Sequence, residues 1–238
     1  MKYKILVLDL DGTLTNNKKE ITEHTLRTLI DAQERGVKIV LASGRPTYGI
    51  APIAEKLELK KYGGYILSYN GGEITNWQTG ELLYENVLEA DVLPYLYQCA
   101  KDNQFAIVTY KDKYVLKEAI LNVMETKKVD NFLDAIDFPV AKCLIVGEAT
   151  RLAVLEKEMY EVLKDRMGVY RSEPYFLELV PKGIDKAQSL AVLLEKIGAT
   201  KEEMIAVGDG FNDLSMIKFA GLGVAMANAQ EVVRQSAD

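Results

Sequence analysis

The sequence is poor in the residues that most often carry metal and redox chemistry. Among 238 residues there is one histidine, His24, and there are two cysteines, Cys99 and Cys143. The cysteines lie far apart and form no C-x-x-C pair, and Cys143 sits within the apolar run 141–147. Both read as structural thiols, in keeping with a reducing compartment. His24 falls in a polar helical stretch and reads as a surface residue. The single tryptophan, Trp77, follows Asn70-Gly71-Gly72 in a loop, where packing accounts for it as well as ligand contact does. No run of 18 apolar residues exists, so no membrane span is expected. The basic start and short apolar run at the N-terminus are broken by Asp9, too early for a signal peptide. A cytoplasmic protein is expected. There is no excess of positive charge either: the formal net charge is −6. This argues against a nucleic-acid partner, but a few local cations suffice for a small anion. Internal repeats and low-complexity tracts are absent.

What is present is an ordinary globular composition, 48% hydrophobic and 27% charged. A chain of this length buries roughly 70–75% of its unfolded surface, enough to need no covalent staples. Ile5–Leu8, Val37–Ala42 and Tyr65–Ser68 are short apolar runs of the kind buried parallel strands require. Thr22–Arg35, with a Thr cap and Gly36 beyond it, and Thr47–Leu59, with Pro52 inside it, alternate with them as helices. Between about Leu82 and Val180 the pattern changes. The strands Phe105–Tyr110, Tyr114–Ala119, Lys142–Val146 and Phe176–Val180 are longer and more amphipathic. Helical stretches Ala90–Asp102, Lys128–Ala135 and Thr150–Met167 are interleaved with them. After Pro181 the first pattern returns: helix Asp185–Ile197, strand Met204–Val207, helix Leu214–Ala220 and strand Leu222–Met226. The fold class expected is α/β, a doubly wound, Rossmann-like parallel-sheet core (residues 1–81 and 181–238) with an inserted α+β domain (82–180).

Four polar clusters sit at or near the C-terminal ends of core strands, where open α/β sheets bind ligands. In Asp9-Leu10-Asp11-Gly12-Thr13, residues two apart on an extended segment point the same way. Asp9 and Asp11 can therefore share a pocket, and a divalent cation such as Mg²⁺ would relieve their repulsion. Ser43-Gly44-Arg45 offers a hydroxyl and backbone N–H groups to a phosphoryl oxygen. Lys182 and Lys186, four apart in KGIDK, suit phosphate as compact charges. Gly208-Asp209-Gly210-Phe211-Asn212-Asp213 adds two carboxylates and an amide. Alone, each cluster has a plainer account: a DG turn, a helix cap before Pro46, a solvated lysine pair, a capped turn. Together those accounts require four coincidences on one edge of the sheet, where a single site requires none.

In this order, DLDGT at 9–13, Ser43, Lys186 and GDGFND at 208–213 resemble the haloacid dehalogenase superfamily of phosphohydrolases, over nearly the whole chain. The insertion between the serine and lysine motifs, with ASGR at 42–45, Asn70-Gly71-Gly72 and PKGIDK at 181–186, resembles the Cof-type subfamily, whose α/β cap roofs the site. Against that pattern the chain stops early at Asp238, soon after Asn228-Ala229, and the Tyr110–Lys117 stretch is short.

The resemblance implies roles residue by residue. Asp9 attacks phosphorus, giving an aspartyl-phosphate, and Asp11 protonates the leaving oxygen and then activates water. Asp9, the backbone carbonyl of Asp11 and Asp209 hold Mg²⁺, with Asp213 supporting the metal. Ser43, Gly44 and Lys186 neutralise phosphoryl oxygens, Asn212 and Thr13 orient the pocket, and Arg45 is placed to clamp substrate. A Mg²⁺-dependent phosphohydrolase of small phosphorylated metabolites, sugar phosphates foremost, is the expected function, in a monomer or weak homo-oligomer. A phosphosugar mutase and a non-catalytic phosphometabolite sensor are the alternatives.

Overall fold

The computed structural model describes residues 2–111, 114–117 and 126–238. They form two compact units, one of Met1–Glu85 with Asp185–Asp238, the other of Asn86–Ile184. The first begins β1 (Ile5–Leu8), α1 (Glu23–Glu34), β2 (Lys38–Ala42), α2 (Thr47–Lys56), α3 (Leu59–Tyr62), β3 (Tyr65–Ser68), β4 (Glu73–Asn76), β5 (Leu82–Glu85). The second contains α4 (Leu93–Asp102), β6 (Ala106–Lys111), β7 (Tyr114–Lys117), β8 (Thr126–Lys128), β9 (Cys143–Val146), α5 (Ala149–Leu163), β10 (Met167–Glu173) and β11 (Phe176–Pro181). The chain then completes the first with α6 (Lys186–Ile197), β12 (Met204–Gly208), α7 (Leu214–Phe219), β13 (Leu222–Ala225) and α8 (Glu231–Arg234).

The first unit is built on a seven-stranded sheet of order β13-β12-β1-β2-β3-β4-β5. Its first five strands are parallel, and β4 and β5 add antiparallel at one edge. Helices on both faces explain the continuous apolar strands. Ile5 and Val7 of β1 pack with Leu190, Leu193 and Leu194 of α6 and Met216 of α7. Leu8 packs on the other side with Leu29 of α1 and with Ile50 and Ile53 of α2. From β1 the chain steps to β2 and β3 on one side, while β12 and β13 lie on the other. The β1/β12 boundary is therefore a topological switch point, with a crevice at the C-terminal strand ends.

The second unit carries a six-stranded sheet, β10-β11-β9-β6-β7-β8, antiparallel except for the β7–β8 pair. One face packs on α4 and α5 through Leu96, Ile107, Cys143, Leu152, Leu177 and Leu179.

Several expectations need correction. The unit boundaries fall at 85/86 and 184/185, not 81/82 and 180/181, because β5 pairs with β4 in the first sheet and β11 runs to Pro181. Residues 128–135 are not a helix: β8 ends at Lys128 and turns follow, held by the Asn131 side chain accepting from the Leu133 N–H. The helix expected to reach Met167 ends at Leu163, and Met167 opens β10. The helix over 47–59 breaks at Glu58, which takes a left-handed φ of 51°. The expected strand Tyr114–Ala119 runs past Lys117 into residues outside the described ones, as do positions 112 and 113 of the Tyr110–Lys117 stretch.

Candidate active site

Register brings the sequence clusters together. Leu8 of β1 is paired with Val207 of β12 and Leu41 of β2, so these strands end side by side. Asp9 leaves β1 with its N–H donated to the Val207 carbonyl (3.1 Å), Ser43 follows β2, and Asp209 follows β12. The fourth participant comes from α6. Its N-cap, Asp185, accepts from the N–H groups of Ala187 (2.9 Å) and Gln188 (3.1 Å), which makes Lys186 the first helical residue. Lys182, by contrast, is exposed and donates to the Asp165 carbonyl within the second unit.

Lys186 is 1% exposed. Its Nζ donates to Asp9 Oδ1 (2.8 Å), Asp213 Oδ1 (2.6 Å) and the Ala42 carbonyl (2.9 Å), so all three donors are used. Burial opposes the ammonium, but the charges of Asp9 and Asp213 outweigh it and hold its pKa above the ordinary lysine value. Asp9, 5% exposed, feels the reverse. Desolvation and the Asp213 charge outweigh Lys186 and push its carboxyl up to about 6. Asp213 has both oxygens engaged: Oδ1 on Lys186, Oδ2 on the N–H groups of Asp209 and Gly210 (2.9 Å each). It braces the lysine and closes its own loop.

Asp209 Oδ1 accepts from Thr13 Oγ1 (2.7 Å), and Oδ2 accepts from Asn228 Nδ2 (3.2 Å). Burial raises its pKa, more than Thr13 lowers it. Gly12 explains its own identity. Its φ is +88°, and a Cβ there would lie 2.3 Å from Asp209 Oδ2. Asp9, Asp209 and Asp213 each offer a carboxylate oxygen within 4.8 Å of the others. Such an excess of hard oxygen donors over one buried ammonium fits Mg²⁺.

Asp11 turns to different partners. Arg45 forks it, Nε to Oδ2 (2.8 Å) and Nη2 to Oδ1 (2.5 Å), and Lys19 Nζ reaches Oδ1 (2.5 Å). Partial burial works against its charge, but the hydrogen bonds from Arg45 and Lys19 prevail and hold its carboxyl below the ordinary range. Arg45, expected to clamp substrate, also donates to the Gly49 carbonyl (3.3 Å), and its guanidinium matches the Asp11 carboxylate bidentately. Ser43 is buried, its hydroxyl accepting from the Arg45 N–H (3.2 Å). Asn212 Nδ2 donates to Asn70 Oδ1 (3.1 Å). Three contributors were given no place at the site in the sequence reading: Lys19, Asn70 and Asn228. Asn70 lies just past a strand end like the clusters, which is a usable signal. Lys19 and Asn228 sit in loops whose sequences carry none.

A Rossmann-like core that gathers carboxylates around one buried lysine at its switch point is the architecture of a hydrolase of phosphate esters. The chain belongs to the haloacid dehalogenase-like hydrolase family, whose model matches residues 6–238. It is 57% identical to a crystal structure of a haloacid dehalogenase-like hydrolase from Bacteroides thetaiotaomicron, with a TM-score of 0.96 over 100% of this chain and 93% of that one. It is 31% identical to the 5-amino-6-(5-phospho-D-ribitylamino)uracil phosphatase YcsE of Bacillus subtilis (strain 168), over 99% of this chain and 88% of that protein. It is 28% identical to the HMP-PP phosphatase of Shigella boydii serotype 4 (strain Sb227), over 97% of this chain and 90% of that protein. It is an enzyme of the phosphatase class. Among the described residues no helix is long and apolar enough to cross a membrane.

Proposed function

We propose that this enzyme hydrolyses small phosphate monoesters, sugar phosphates and similar metabolites, with Mg²⁺ and through an aspartyl-phosphate on Asp9. The observation that carries the reading is the buried Asp9 carboxylate, held by Lys186 at 2.8 Å and clustered with Asp209 and Asp213. Relatives named for phosphorylated small molecules support the substrate class.

Asp9 and Asp209, with the backbone carbonyl of Asp11, would hold Mg²⁺, which supplies charge neutralisation to the phosphoryl oxygens. The free oxygen of Asp9 attacks phosphorus, and the bond from phosphorus to the ester oxygen breaks. Asp11 gives its proton to the departing oxygen. Water then attacks the aspartyl-phosphate, its proton passes to Asp11, and Asp9 is released with inorganic phosphate. Two easier steps replace one difficult one, and the protein contributes mainly position and charge. Lys186 keeps Asp9 aimed, and Ser43 and Gly44 offer donors to the phosphoryl oxygens. The Arg45–Lys19 grip favours the ionised Asp11 that the second step needs. Proton donation in the first step requires that grip to open.

The test is Mg²⁺-dependent phosphate release over a panel of sugar phosphates, nucleotides and cofactor phosphates. Asp9→Asn should abolish release while the fold persists. Undiminished turnover in that variant would overturn the covalent route.

A further inference from the structure

Asn70 stands outside the four clusters, in a left-handed backbone turn. Tyr69 and Asn70 have φ of 53° and 56°, and Gly71 continues the run at 105°. Tyr69 pays roughly 1 kcal/mol or more to sit there, while asparagine is among the few side-chain-bearing residues that enter this region readily, and such strain concentrates at functional sites. Two backbone bonds hold the turn against the serine loop: Tyr69 N–H donates to the Arg45 carbonyl (3.0 Å) and Asn70 N–H to the Ser43 carbonyl (2.9 Å).

The side chain spans two groups expected at the phosphate. Oδ1 accepts from Asn212 Nδ2 at 3.1 Å. Holding Oδ1 there leaves Nδ2 as the amide's outward donor. On its other side the amide lies against Gly44, where a Cβ would come 3.1 Å from Nδ2 and 3.2 Å from Oδ1. Any larger residue at 44 would push the amide away. Among the described residues Nδ2 has no hydrogen-bond acceptor, and Asn70 is only half-buried.

We propose that Asn70 is a further phosphate-binding residue, its Nδ2 donating to an oxygen of the bound phosphate group between Gly44 and Asn212. The proposal rests on reading this site as a phosphatase centre. The strained turn then has a purpose: it carries a neutral donor across to the serine loop with its orientation set by Asn212. A neutral donor adds direction without adding charge to a site already rich in ions.

The test is calorimetric titration of inorganic phosphate, with Mg²⁺ present, into wild type, Asn70→Gly, Asn212→Ala and the double variant. Glycine keeps the left-handed backbone, and thermal melts confirm that each variant is folded. Loss of a hydrogen bond to a charged group should weaken phosphate binding about 10- to 100-fold in Asn70→Gly. The loss should shrink but persist when Asn212 is already alanine, since Nδ2 keeps a direct contact with phosphate even where Asn212 no longer sets its orientation. Binding within about two-fold of wild type, or a loss that vanishes in the Asn212→Ala background, would overturn the proposal. Phosphate binding that depends on Asn70 in a wild type that hydrolyses no ester would count against the phosphatase reading alone.

Discussion

Lys186 holds the balance of charge at the site. One fully buried ammonium faces two buried carboxylates, and the low local dielectric makes the remaining negative charge costly. The result is visible in Asp9, whose carboxyl burial and Asp213 push from 3.8 to about 6. Between those values the folded chain binds a proton more tightly than the unfolded one. Stability from this group is therefore present below 3.8 and is lost as pH rises through about 6. In chelator, the melting temperature should fall over that window more steeply in wild type than in Asp9→Asn. Equal slopes by calorimetry would show that Asp9 ionises without penalty. The acid pair was legible from its place after a strand end, and the lysine from its place at the start of a core helix. Their division of labour was not. Asp9 and Asp11, two apart, take different basic side chains: Lys186 serves one, Arg45 and Lys19 the other. That partition depends on residues remote in sequence, which spacing cannot reveal.

At the scale of elements, the site depends on where α6 begins. Asp185 caps the helix, and the next residue is Lys186, so the cap sets the position of the lysine backbone as well as satisfying two N–H groups. Asp185→Ala should lower stability by about 1 kcal/mol in urea denaturation. It should also lower kcat, because the lysine's first turn loosens. A stability loss with kcat unchanged would show that the three bonds of Lys186 hold it without the cap. Core elements were readable for a physical reason: strands buried on both faces are apolar throughout, and capped helices announce their ends, as Thr22 does for α1. The short antiparallel strands β4 and β5 were missed because they are only partly buried and lack that signature. Residues 128–135 misled for the opposite reason. Phe132 and Leu133 invite a helical reading, yet it is a turn that delivers Phe132 into the second unit's core, with Leu133 packed against it.

At the scale of the whole molecule, each unit supplies its own core. In Asn86–Ile184 the core runs from Leu88 to Leu179 and includes Phe132, which is 0% exposed and stacked on Tyr97 at 6.0 Å between centroids. The Asp9 unit is sealed by its own clusters, a large one on each face of the parallel sheet and a smaller one around Ile217 and Val233. A chain with separate cores need not unfold in one step. Phe132→Ala removes a large buried ring and should cost about 3–5 kcal/mol. If the cores fold independently, that cost falls on one unit. Hydrogen exchange should then speed up for amides of α4, α5 and β9, while those of β1, β2 and β12 keep wild-type protection. Uniform acceleration across both sets would mean that the chain unfolds as one cooperative body. In the first case the insertion can change its sequence, and with it whatever the insertion contributes, without a penalty in the stability of the strand ends that hold Asp9, Ser43 and Asp209.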